Sequence, residues 1–145
     1  MRRTLYLLCL LCLTGCASSR MISVESKAVD GTFAASEEEL FFTAQKVFVQ
    51  EGYLLASTQI TTGTISTEPQ RVAWRADQVS CVGTNAATDD AMLKVAFSAR
   101  VQQHTLTLWT HMQADRDTAK DAAPCVSSGA LEREMIEKIR VAINA

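Results

Sequence analysis

Leu93, Val95, Phe97, Ala99 and Val101 alternate with Lys94, Ala96, Ser98 and Arg100. This period of two marks a strand with one face on a core and the other in water. Gln102, Gln103 and His104 make a turn, and the chain returns over 105–112 with Leu106, Leu108 and Met112 on one side and Thr105, Thr107, Trp109 and His111 on the other. Two other stretches follow the helical period. Leu40, Phe41, Ala44, Val47 and Phe48 gather into one apolar stripe. Ser36 stands before that stripe as N-cap with Glu39 three residues on, Glu37, Glu38 and Glu39 face the positive end of the macrodipole, and Gly52 supplies a left-handed stop. Near the C-terminus, Leu131, Met135, Ile136, Ile139 and Ile143 form a second stripe capped by Ser127 and Ser128. Glu132 and Glu134 lie near its start, Lys138 and Arg140 near its end, and Glu134 reaches Lys138 at i,i+4.

The intervening chain reads as short strands. Residues 53–58 and 64–67 flank Thr61, Thr62 and Gly63, which gives a hairpin that Pro69 interrupts. Val72 and Trp74 alternate with Arg71, Ala73 and Arg75, and 78–82 is a further short strand carrying Cys81. Residues 83–90 are a polar loop. Residues 114–124 are a charged one whose Asp115, Asp117 and Asp121 lack the glycine and terminal glutamate of a calcium-binding hand. The expected fold is α+β: a two-layer sandwich, with an antiparallel sheet of about four to five strands and two helices packed on one face, in the order α-β-β-β-β-α. One domain over 36–145 accommodates it.

The N-terminus has a different logic. Arg2 and Arg3 precede an apolar run over 5–13 that is too short to span a bilayer, and Leu13-Thr14-Gly15-Cys16 then resembles a bacterial lipobox. The resemblance implies a signal peptide over 1–15, cleavage before Cys16, and acylation of that cysteine, palmitate included, which anchors the chain to a membrane. Residues 16–35, mixed in polarity and without a sustained period, are expected to form the lipidated cysteine and a tether, whose 17–35 portion has an r.m.s. span of roughly 24 Å. Within it, residues 21–24 are candidates for a short edge strand. Losing Arg2 and Arg3 takes Lys plus Arg from 14 to 12 against 16 Asp plus Glu, a formal balance of minus four. Such a chain has no basic cluster for nucleic acid or for anionic headgroups.

Of the five cysteines, Cys9 and Cys12 leave with the signal and Cys16 takes lipid, so Cys81 and Cys125 remain. In an oxidising compartment they form one possible disulfide, closing a loop whose chain entropy is worth roughly 4 kcal/mol; two buried thiols are the alternative. No spacing suits a metal, and His104 and His111 fall on opposite faces of the hairpin. No nucleophile elbow or phosphate loop occurs. The chain is therefore expected to be no enzyme and to need no cofactor.

Phe41, Ala44 and Val47, then Gly52-Tyr53, then Gly63-Thr64-Ile65-Ser66-Thr67 resemble the helix, the Gly-aromatic start and the Gly-x-Ile-x-Thr strand of helix-grip domains in BamC-type outer-membrane lipoproteins. That resemblance, which covers about thirty residues, implies a domain that accompanies the machinery inserting β-barrels. Here there is one such domain rather than two. Ala17 after the lipidated cysteine fits outer-membrane sorting, with the domain facing the periplasm. The expected function is a non-catalytic protein-interaction module docking an envelope protein on Thr107, Trp109 and His111. The alternative is a carrier of an apolar ligand, such as a lipid or a cell-wall fragment, held between sheet and helix. Trp109 decides part of this, since it is either covered or an exposed anchor.

Overall fold

In a computed structural model that describes residues 24, 25, 27–73, 75, 77–81, 92–114 and 125–145, the elements follow one another as β1 (Val24–Glu25), β2 (Val29–Thr32), α1 (Glu37–Gln50), β3 (Leu55–Gln59), a 3-10 turn (Ile60–Thr62), β4 (Thr64–Thr67), β5 (Gln70–Ala73), β6 (Val79–Cys81), β7 (Met92–Gln102), β8 (Thr105–Ala114), β9 (Cys125–Ser127) and α2 (Ala130–Ile143). The long hairpin β7–β8 is the spine, in unbroken register from Leu93 opposite Ala114 to Gln102 opposite Thr105. Around it the main sheet runs β1-β8-β7-β4-β3, with β2 sharing the outer side of β8 and β5 continuing along β7 beyond β4. That makes five positions across, every junction antiparallel. β6 and β9 form a separate two-stranded sheet. The fold is α+β in two layers, as the periodicities predict.

The inward rows are those the alternation marks. Leu93, Val95, Phe97, Ala99, Val101, Leu106, Leu108 and Met112 are all buried, and they meet Leu40, Phe41, Ala44, Val47 and Phe48 of α1 and Met135, Ile136 and Ile139 of α2. Phe48, Tyr53 and Phe97 pack ring against ring, with the Tyr53 and Phe97 centroids 4.9 Å apart and nearly perpendicular.

α1 starts where Ser36 Oγ accepts the Glu39 N–H at 3.2 Å. It ends at Gly52, φ +87°, with Tyr53 N–H donating to Phe48 carbonyl and Gly52 N–H to Val49 carbonyl. These paired bonds and the Tyr53–Phe48 ring contact are the left-handed stop with its hydrophobic clasp. α1 has no basic residue in its last turn; Lys138 of α2 supplies the charge, its Nζ lying 2.6 Å from Glu51 and 3.0 Å from Glu134. α2 begins one residue later than a serine cap requires. Gly129, φ +82°, is the N-cap, while Ser127 Oγ and Ser128 Oγ accept the N–H groups of Gly129 and Ala130.

The sheet also reaches further toward the N-terminus than a tether ending at residue 35 allows. β2 pairs Val29 with Leu108 and Gly31 with Leu106, while β1 pairs Val24 with Met112. Phe33 and Ala35 are buried, Phe33 N–H donates to His104 carbonyl, and the Arg140 guanidinium lies over the Phe33 ring. The order therefore gains two strands ahead of α1. A four-residue strand containing Asp30 and Gly31 has too little pattern to announce itself; its hydrogen bonds come from β8, more than seventy residues away.

The β3–β4 hairpin explains its own sequence. Gly63 sits at φ +64° with its carbonyl accepting Val101 N–H at 2.8 Å, and a Cβ there would lie 2.0 Å from Val101 carbonyl oxygen. Ile65 enters the core. At Thr67 the line along β7 breaks, because β4 serves Ser98 to Arg100 and β5 serves Met92 to Val95, with Glu68-Pro69 between them. The Thr67 hydroxyl fills that gap by accepting Phe97 N–H at 2.9 Å.

Candidate functional site

Both helices lie on the inward side of β7 and β8, so the outward rows of the same strands form the opposite face of the sheet. Register arranges that face in lines across the strands. Glu25 of β1, His111 and Ala96 make one; Trp109, Ser98 and Ser66 make the next; Asp30, Thr107, Arg100 and Thr64 make the third. The three expected surface residues thus stand together, spaced by two along β8, with Trp109 in the middle. Each is half-buried rather than fully exposed. His111 Nε2 and Ser98 Oγ are 2.9 Å apart, which fixes the imidazole beside the indole position. Ser98 stands opposite Trp109 with Ser66 beyond it, Thr107 and His111 lie two residues away along β8, and Arg100 is diagonal to the ring. Charges stand at Arg71 opposite Lys94 at one end of the face, and at Asp30 and Arg100 on either side of Thr107.

Trp109 therefore does not fill the space between sheet and helices. The neighbouring position 110 points inward, and there the apolar row is interrupted. Thr110 is fully buried and donates to Glu132 Oε1 at 2.6 Å, while Ser127 donates to Glu132 Oε2 at 2.6 Å. Glu132 itself is fully buried in the first turn of α2. Its carboxyl ties α2 to β8 and β9 at once. Helix position alone assigns Glu132 to the macrodipole and to solvent; the signal that finds it is Thr110, the one polar residue in an inward row of apolar ones.

At the other end of the hairpin, Gln103 adopts φ +55° and its N–H donates to Glu37 Oε2, while His104 Nδ1 lies 2.8 Å from Ala35 carbonyl oxygen. Both histidines thus have structural partners. Among the described residues, no three or more His, Cys, Asp or Glu side chains gather to hold a metal. Cys81 and Cys125 are direct register partners in β6 and β9. Opposed residues of antiparallel strands have Cα atoms about 4.5–5.5 Å apart, inside the range a disulfide spans. Cys16 and Trp74 lie outside the described residues.

Comparison with known proteins bears on the fold. No protein-family model matches the chain, and no curated protein does. Among solved structures, a DUF4468 family protein from Bacteroides ovatus superposes with a TM-score of 0.54 at 9% identity, covering 85% of this chain and 87% of that one. A TBP-like protein from Parabacteroides distasonis gives a TM-score of 0.43 at 13% identity, covering 84% of each. The first likeness shows that this two-layer arrangement of one antiparallel sheet and two helices is shared, at an identity where only the fold is shared.

Proposed function

We propose that this chain is a lipid-anchored lipoprotein of the outer membrane whose domain faces the periplasm and works, without catalysis, as a docking module for another envelope protein. The anchor is the acylated Cys16 of the lipobox-like tetrapeptide at 13–16. The docking surface is the sheet face opposite the helices, and the observation that carries it is the line-up of Thr107, Trp109 and His111 on that face, with Trp109 flanked by small polar side chains. An aromatic with an apolar body and a polar edge, set among hydroxyls and mixed charge, suits a protein partner. The carrier alternative requires room between the layers. Phe48, Tyr53 and Phe97, with Tyr53 edge to face against both phenylalanines, occupy that space in the middle of the sheet. The same pairing of strands β6 and β9 supports a Cys81–Cys125 disulfide in an oxidising compartment.

The test is crosslinking in intact cells followed by purification of the chain. A partner captured by the wild type should be lost with Thr107→Glu and with Trp109→Ala, each assayed below its own melting temperature and with a wild-type circular dichroism spectrum, since changes on this face leave the core between sheet and helices intact. Capture of the same partner by both variants would overturn the docking face. Cys16→Ala should release the chain from the membrane fraction, and an unchanged distribution would overturn the anchor.

A further inference from the structure

The two edges of the main sheet are built differently. Beside β8 the edge is split into β1 of two residues and β2 of four, and the sequence there carries Glu25, Lys27 and Asp30. Short strands and charges are the usual protection of an edge. The far edge, β3, is one strand with β4 as its single neighbour among the described residues. Not one charged residue occurs over 52–67, a run of sixteen in a chain that is 21% charged. Ser57, Thr58 and Gln59 are exposed, and so are the two large apolar residues at the ends of the strand, Leu54 at 73% and Ile60 at 51%. One protective device is present, a bulge at Ala56, which leaves Ser57, Thr58 and Gln59 in regular register with β4.

We propose that β3 pairs antiparallel with β3 of a second copy of this chain, about a two-fold axis at Ser57. An isologous junction sets each residue opposite the one equally far on the other side of the axis. Within β3, Leu55 then faces Gln59, Ala56 faces Thr58 and Ser57 faces itself, while Leu54 and Ile60, the first residue of the 3-10 turn, flank the paired stretch at its two ends. The two exposed apolar residues, three positions either side of Ser57, cover each other twice. That mirror placement selects this occupant: a second copy brings each exposed apolar residue beside the other, no charge over 52–67 opposes it, and a charged peptide finds no complement there. Five paired residues per copy, flanked by Leu54 and Ile60, form a junction at the small end of specific interfaces, so dimers accumulate with concentration, and copies confined to one membrane surface meet more often than copies in bulk. The surface is separate from the Trp109 face, and neither proposal needs the other.

Sedimentation of the full chain in non-ionic detergent tests this. The wild type should shift from monomer to dimer mass as concentration rises. Ser57→Lys and Ser57→Glu, exposed substitutions that leave the melting temperature unchanged, should each lose the dimer through like charges meeting at the axis. An equimolar mixture of the two should restore it. Thr107→Glu should dimerise as the wild type does. A wild type that stays monomeric at every concentration, dimers of Ser57→Lys alone, or a mixture that stays monomeric while the wild type dimerises would each overturn self-pairing through β3.

Discussion

Replacing Glu132 by Leu removes a buried carboxyl that accepts hydrogen bonds from Thr110 and Ser127, both at 2.6 Å. Leucine fills most of the same volume, so the effect isolates polar satisfaction from cavity formation. A buried group stripped of its partner costs about 1–3 kcal/mol. Fully buried Thr110 cannot turn its hydroxyl to water, whereas half-buried Ser127 can redirect its O–H to water and recovers part of its loss. The sum is about 2–4 kcal/mol, a large fraction of the stability of a domain this size. Urea unfolding followed by tryptophan fluorescence measures it, with the slope as a check that the unfolded state is unchanged. The companion variant Thr110→Val removes one donor and is expected to cost about 1–2 kcal/mol. Together the two changes should cost less than their separate sum, because the second no longer orphans a partner of the first. If Glu132→Leu shifts stability by under about 0.5 kcal/mol, or if the two substitutions add, the carboxyl is not the tie between α2, β8 and β9 that its geometry describes.

Three further outcomes follow from local geometry. Gly63→Ala should destabilise by more than about 2 kcal/mol, because a Cβ at φ +64° meets Val101 carbonyl oxygen at 2.0 Å; wild-type thermal stability in that variant would show that the hairpin does not rest on β7 as described. Stability should hold up to about pH 10 and fall above it. Burial raises the Tyr53 hydroxyl above its ordinary value, and the hydrogen bond to Glu51 does the same for Lys138, so the folded state holds protons that the unfolded chain gives up first. Melting temperatures against pH should fall less steeply in Tyr53→Phe, and an identical slope would remove Tyr53 as a cause. The proposed Cys81–Cys125 disulfide predicts no thiol labelling of either residue in the unreduced, unfolded chain and a stability loss of roughly 4 kcal/mol on reduction; full labelling of both would refute it.

What was legible in the sequence is what local period controls. The five-residue stripe of α1, the left-handed Gly52 and the alternating β7–β8 rows each depend on neighbours within a few positions, and the alternation alone put Thr107, Trp109 and His111 on one face. Which side of the hairpin the helices cover is a matter of topology, so alternation alone leaves open whether Trp109 meets the helices. β2 leaves no mark in local sequence because its pairing is supplied by β8 and its own four residues include Asp30 and Gly31. Glu132 leaves none because a first-turn glutamate has an adequate explanation in the macrodipole, which nothing nearby in sequence contradicts. Its burial is decided by Thr110 and Ser127, brought to it by the chain's return.

The Gly63-x-Ile65-x-Thr67 pattern carries the resemblance to helix-grip lipoprotein domains. Each of its fixed positions has a job inside the sheet: Gly63 lets the turn lie on the Val101 backbone, Ile65 fills the core, and Thr67 replaces the ladder bond lost at Glu68-Pro69. Any chain that breaks a strand at this point beside a long central one meets the same three demands. The pattern is therefore information about how the hairpin is built, and it is silent on what the domain binds. Residues that no such demand holds are the polar groups around Trp109 on the outer face, and Ser57 with its neighbours along the β3 edge. Substitutions at those two places separate binding from folding, whereas substitutions in the pattern itself disturb both.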